Sequence, residues 1–147
     1  MKYVRSRDGF TLIEMLIVLS VISIILLFSI FMFRSFSESM QKRLFFTQLE
    51  SDLYYAHAYA QNRKEAVQVR FSRGSKQYEM LVGKQQPELF LIRKFPPSIY
   101  IKESTISSFV ITPDGNVSTF GIITFQHNQT TVKVSFNIGK GRFNIEE

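Results

Sequence analysis

One carboxylate, Glu14, sits inside an apolar run from Phe10 to Phe33 that is otherwise interrupted only by Thr11, Ser20, Ser23 and Ser29. An ionised acid within a bilayer costs several kcal/mol, roughly, and by default marks function. The plainer reading keeps Glu14 shallow, where it reaches the interface or takes up a proton. Its neighbours shift that balance. A cut between Gly9 and Phe10 would create an α-amino group on Phe10, with Glu14 four residues further on. Within one chain, that spacing puts the two groups on the same helix face. Between chains, the ammonium of one copy could meet the carboxylate of its neighbour. In a low-dielectric bundle a matched pair is tolerable and an unmatched charge is heavily penalised.

The run must also be explained by its length. Its 24 residues would extend about 36 Å as a helix, enough for a hydrocarbon layer of about 30 Å. It is longer than the apolar region of a cleaved secretory signal and ends in FMFRSFSES, without a small-x-small exit. Lys2, Arg5 and Arg7 precede it, offset by Asp8, while Arg34 alone follows immediately. That bias keeps the N-terminus in the cytoplasm and places the remainder outside.

A short basic leader, then Gly9-Phe10-Thr11-Leu12-Ile13-Glu14 and an unbroken apolar run, resembles the class III signal of type IV pilins and pseudopilins. The resemblance covers Arg5 to about Ile30. It implies cleavage after Gly9 by a prepilin peptidase, N-methylation of Phe10, and a role for Glu14 in recruiting and registering the subunit during assembly. It also implies other major and minor pseudopilins and the inner assembly platform as partners. Asp8 departs from the basic or neutral residue that commonly precedes the glycine.

No glycine or proline occurs from Phe10 to Arg73, so nothing forces the helix to stop at the end of the apolar run. Beyond Arg34, apolar residues recur at Phe36, Met40, Leu44 or Phe45, Leu49, Leu53, Ala56 and Ala60, close to the helical period. Glu38, Lys42, Arg43, Glu50, Asp52, Arg63 and Lys64 mostly fill the other positions. The expected helix runs from Phe10 to about Asn62, with a membrane half (10–33) and an amphipathic half (34–62). Tyr54, Tyr55 and Tyr59 are expected to pack it against a sheet, with His57 at the edge of that interface.

From Ala66 the period changes to two. AVQVRF, QYEMLVG, LFLIRKF, SFVIT, GIITF, TVKVSFNI and RFNIE are strand candidates, and the Thr112-Pro113-Asp114-Gly115 stretch fits a hairpin turn. One long helix followed by seven or so short strands gives an α+β chain. Its helix packs on a small antiparallel β-sheet domain, residues 63–147, in a pilin-like arrangement. A second, weaker resemblance rests on FVITPDGNVSTFGIITF and VKVSFNIGKGRFNI, which are similar in pattern to H-type minor pseudopilins of type II secretion. Among Gram-positive sequences, the pattern is similar to the minor pseudopilins of competence pili.

Catalysis finds no support. His57 and His127 stand without a metal-binding spacing, cysteine is absent, no GxSxG elbow occurs, and the glycines are dispersed among turns. No cofactor is expected. With 18 basic and 12 acidic residues, the chain could contact phosphates through Arg70, Arg73 and Lys76, Arg93 and Lys94, or Lys140 and Arg142. Without a contiguous basic run these groups read more simply as solvated turns.

The expectation is therefore a non-enzymatic minor pseudopilin of a competence pilus. Its leader (1–9) is removed, and it is held in the cell membrane before assembly and exposed at the cell surface afterwards. The filament serves DNA binding and uptake, which does not require this subunit to touch DNA. A type II secretion pseudopilin and an uncleaved signal-anchored surface-binding protein remain the alternatives.

Overall fold

The stretch without glycine or proline folds as one helix, α1, Leu12–Arg63, of 52 residues. The structure is a computed structural model that describes residues 11–83, 87–137 and 143–146; side-chain surroundings are given for all of these except 30–36. The leader, Gly9 and Phe10 lie outside the described residues. Helix α1 ends where Lys64 takes a left-handed φ of 56°, the conformation that commonly closes a helix. The chain divides into two units, Met1–Ser39 and Met40–Glu147.

In the second unit, eight strands follow the helix among the described residues. β1 (Val67–Ser72), β2 (Gln77–Val82), β3 (Glu88–Lys94) and β5 (Ser108–Ile111) form one sheet in the order β3-β2-β1-β5. β4 (Ile99–Ser104), β6 (Gly121–His127), β7 (Thr130–Phe136) and β8 (Phe143–Glu146) form another in the order β4-β6-β7-β8. All pairings are antiparallel. The α+β class and the long helix agree with the sequence reading. β4 is an addition to it, since only Ile99, Tyr100 and Ile101 alternate cleanly before Lys102 and Glu103 blur the period.

The Pro113-Asp114 turn closes as expected. The Gly115 N–H donates to the Thr112 carbonyl at 2.8 Å, and the Thr112 N–H donates to the Asn116 carbonyl at 2.9 Å. Gly115 has a φ of 77°, a left-handed value that a side chain would strain. A Cβ there would also run into the side chain of Gln61 near the end of α1.

Period-two burial places Val67, Val69 and Phe71 of β1 and Tyr78 and Met80 of β2 in the core. The helix contributes Phe45, Phe46, Leu49, Leu53, Ala56 and Ala60. The inner stripe thus begins at Phe45. Of the two positions expected for that turn, Phe45 is the buried one and Leu44 is exposed, and Met40, expected to belong to the stripe, is exposed. Phe45 packs edge-on against Phe46, Tyr78, Phe95 and Phe125 at 5.1–6.3 Å between ring centres, a favoured aromatic geometry. Phe136 lies 4.4 Å from Phe109 and 6.1 Å from Phe71, joining the two sheets. Tyr55 stacks on Phe90, Tyr59 tilts against the same ring, and Tyr54 meets Phe143. The tyrosines therefore pack on the sheets, although Tyr54 and Tyr55 keep more than half their surface exposed.

Asp52, grouped by sequence with the solvent-facing charges, is buried instead. The Tyr78 hydroxyl donates to its Oδ2 at 2.7 Å, Arg93 Nε donates to the same oxygen at 3.1 Å, and Gln48 Nε2 donates to Oδ1 at 2.7 Å. One carboxylate thus ties α1 to β2 and β3. Burial, then the bond to Asp52, pushes the Tyr78 hydroxyl above its usual range. The hydrogen bond to Asp52, then its charge, raises Arg93. Burial also lowers the pKa of His57 on α1.

Asp52→Ala should cost about 2–4 kcal/mol, because it leaves the Tyr78 hydroxyl without its partner. Arg93 is half exposed, and Arg93→Ala should cost about 1 kcal/mol or less. Equilibrium denaturation of the chain in mild detergent measures both, and equal losses would contradict this ranking. For His57, a folded-state pKa below the unfolded one means that the unfolded chain binds the proton first as pH falls. Stability should therefore drop below about pH 6.5. His57→Gln should remove part of that slope in melting curves, while an unchanged slope would exclude His57 as a source.

Candidate assembly site at the start of the long helix

Helix α1 begins with Thr11-Leu12-Ile13-Glu14, the spacing of a capping box. The Glu14 N–H donates to Thr11 Oγ1 at 3.3 Å, and the Met15 N–H donates to the Thr11 carbonyl at 3.2 Å. Thr11 is therefore the cap, and Glu14 stands at the third helical position. An acid in the first turn is favoured by the positive end of the helix dipole. From sequence, Glu14 reads either as a shallow interfacial acid or as the partner of an amine on Phe10. The Thr-x-x-Glu spacing, visible in the sequence, gives it a local role in starting the helix as well.

Every described side chain from Thr11 to Ser29 is exposed, including Leu12, Ile17, Leu19, Ile25 and Phe28. The apolar residues encircle the helix, so no polar face remains for water. Leu12–Ser29 is long and apolar enough to cross a membrane. The hydroxyls within it are satisfied locally. Ser20 donates to the Ile17 carbonyl at 2.7 Å, Ser23 to Leu19 at 2.8 Å, and Ser29 to Ile25 at 3.0 Å. Such back-bonding lets a helix carry serine into a medium that offers no hydrogen bonds. Glu14 is the one ionisable side chain in this window.

The other sequence candidates separate in the fold. Arg70 pairs with Glu79 at 3.0 Å across β1 and β2, leaving the turn that holds Arg73 and Lys76. Arg93 is engaged by Asp52, whereas Lys94 is exposed at the end of β3. His57 lies half-buried on α1, and His127 is buried at the end of β6 with its Nε2 unbonded. Lys140 and Arg142 lie outside the described residues. Among the described residues no cluster of His, Cys, Asp or Glu could hold a metal ion. The Asp52 latch is the polar cluster that sequence reading missed. Its only signal was an acid next to Leu53 on the inner stripe.

Residues 4–30 match the prokaryotic N-terminal methylation motif. No curated protein matches the chain significantly. Two crystal structures of the type IV minor pilin FimU from Pseudomonas aeruginosa strain PAO1 share the fold. The form in space group P21 has a TM-score of 0.56 and 15% identity, covering 69% of this chain and 84% of that one. The P65 form has a TM-score of 0.55 and 14% identity, covering 69% and 89%. At such identities the likeness speaks to the fold, which is pilin-like. The chain thus combines a pilin-like fold with an N-terminal methylation motif, and the apolar helix with the motif points to membrane anchoring.

Proposed function

We propose that the chain is a minor pseudopilin of a competence pilus, of the ComGD type that its C-terminal pattern resembles. The observation that carries a subunit role is the bare apolar helix Leu12–Phe28, headed by a capped Glu14. Apolar surface on this scale needs a cover, and lipid or neighbouring helices would supply it in turn. On this reading a prepilin peptidase removes residues 1–9, and the new Phe10 amine is methylated. The span 10–33 holds the subunit in the cell membrane with the C-terminal domain outside. Glu14 then pairs with a neighbouring subunit's amine as the helix leaves lipid for the filament, and the domain 63–147 faces outward at the cell surface. The role is structural and non-enzymatic.

The pairing follows from charge. A carboxylate entering a helical bundle loses what hydration it had, and an ammonium placed beside it offsets that loss. A registered neighbour is thereby favoured over one shifted along the axis. Glu14→Ala should leave processing intact, so mass spectrometry should still find a chain that begins at methylated Phe10. It should also deplete the subunit from sheared filaments roughly tenfold, the effect of losing a partly buried ion pair of about 1.4 kcal/mol. Equal recovery of mutant and parent would refute the pairing, and an intact Met1 terminus would favour the uncleaved anchor. Deletion of the chain should abolish natural transformation; normal DNA uptake with impaired protein export would favour the secretion alternative.

A further inference from the structure

The second unit is polarised in charge around the end where α1 enters at Met40. Phe45 of α1 packs on Phe95 at 5.5 Å, and the Phe95 N–H donates to the Lys76 carbonyl at 2.8 Å. Lys94 pairs with Gln77 across β2 and β3. Arg73 donates through Nη2 to the Lys102 carbonyl at 2.7 Å, drawing the β1–β2 turn onto β4. These bonds gather the α1 entry, the β1–β2 turn and the end of β3 at one end of the unit. Residues 40–49, 72–78 and 93–102 hold Lys42, Arg43, Arg73, Lys76, Arg93, Lys94 and Lys102 and no acid, and Glu38, Glu50, Glu79 and Glu103 border them. Arg43, Arg73, Lys76 and Lys94 are all exposed there.

The acids Glu65 and Glu88 stand at the opposite end, where Val67, Val82 and Glu88 align across β1, β2 and β3. Asp114 joins them on the turn that meets Gln61, and Arg63 and Lys64 share that end. The Met40 end is also apolar. Met40 and Leu44 are about half exposed, and Leu44, Phe45, Pro96 and Pro97 line a cleft of about 490 Å³ with Arg93 and Lys94 at its side. Cations beside exposed apolar side chains are the signature of a surface that rests in the headgroup layer of an anionic bilayer.

We infer that the Met40 end of the domain docks on anionic lipid headgroups while the subunit waits in the membrane. The inference rests on the membrane reading of the apolar helix. On that reading the run ends at Phe33, and the seven residues of helix to Met40 rise about 10 Å. Headgroup layers extend roughly 5–8 Å beyond the hydrocarbon, so this short tether keeps the start of the second unit near lipid phosphates, which offer exposed cations a complementary charge. Docking of this kind would orient the domain before extraction and would be given up on assembly.

The chain has no cysteine, so a dye can be placed at one site in the full-length protein. Ser75→Cys reports the basic turn, and Asn116→Cys reports the opposite end. The chain is reconstituted into vesicles of phosphatidylcholine, alone or mixed with phosphatidylglycerol, each containing a headgroup-linked quencher. The Ser75 dye should be quenched roughly threefold more in the anionic vesicles, and the Asn116 dye should respond equally in both. Adding Arg73→Glu, Lys76→Glu and Lys94→Glu should remove the difference, as should high salt. Equal quenching in both lipids, or no effect of charge reversal, overturns the inference while leaving the membrane reading intact. Failure to float with vesicles of either kind would end both. If lipid composition has no effect and the reversed variant alone loses a single-stranded oligonucleotide, the patch serves nucleic acid and the lipid inference is wrong.

Discussion

A helix without glycine or proline has to satisfy two different surroundings along its length, and both halves of the protein follow from that constraint. From Leu12 to Phe28 the described side chains are apolar on every side and uncovered. From Phe45 to Ala60 the buried residues line one face, and side chains of β2, β3, β6 and β8 pack on the helix. Ala56 and Ala60 are completely buried near the end of the helix. Toward its other end Phe45 meets Phe95 and Phe125 edge-on, and Phe46 meets Phe125.

Polar groups on this helix are placed according to those two surroundings. Serines in the apolar half bond back to their own helix, so they present no unsatisfied hydroxyl. Asp52, in the packed half, does the reverse and gathers donors from two strands and from Gln48. A buried carboxylate with three donors is tolerable where a lone one is not. It also fixes how the helix is rotated against the first sheet, because Tyr78 and Arg93 reach one oxygen only in that setting. Glu14 belongs to neither pattern. It lies in the first turn, where Thr11 caps the helix, and its charge has no partner of opposite sign among the described residues of the apolar window.

The two sheets share one core through a few aromatic contacts. Phe71 of β1 and Phe109 of β5 meet Phe136 of β7, and the core continues through Phe125 to the helix. Gly115 turns the chain between the sheets with a left-handed φ, and Arg73 bridges them at the other end through the Lys102 carbonyl.

Much of this was legible in the sequence because it is local and periodic. The absence of helix breakers, the 3.6-residue stripe from Leu49 to Ala60, the alternation in β1 and β2 and the Pro-Asp-Gly turn each depend on neighbours a few residues apart. The methylation motif over residues 4–30 was readable for the same reason. Tertiary structure alone decided the division of strands into two sheets, the existence of β4 and the burial of Asp52. β4 exists because Ile99 and Ile101 pair with β6, far along the chain, and its own charged half conceals the period. Asp52 is buried because Tyr78 and Arg93, 26 and 41 residues away, supply its hydrogen bonds. No local pattern carries that information, since the free energy that makes a buried acid tolerable comes from groups that only the fold brings together.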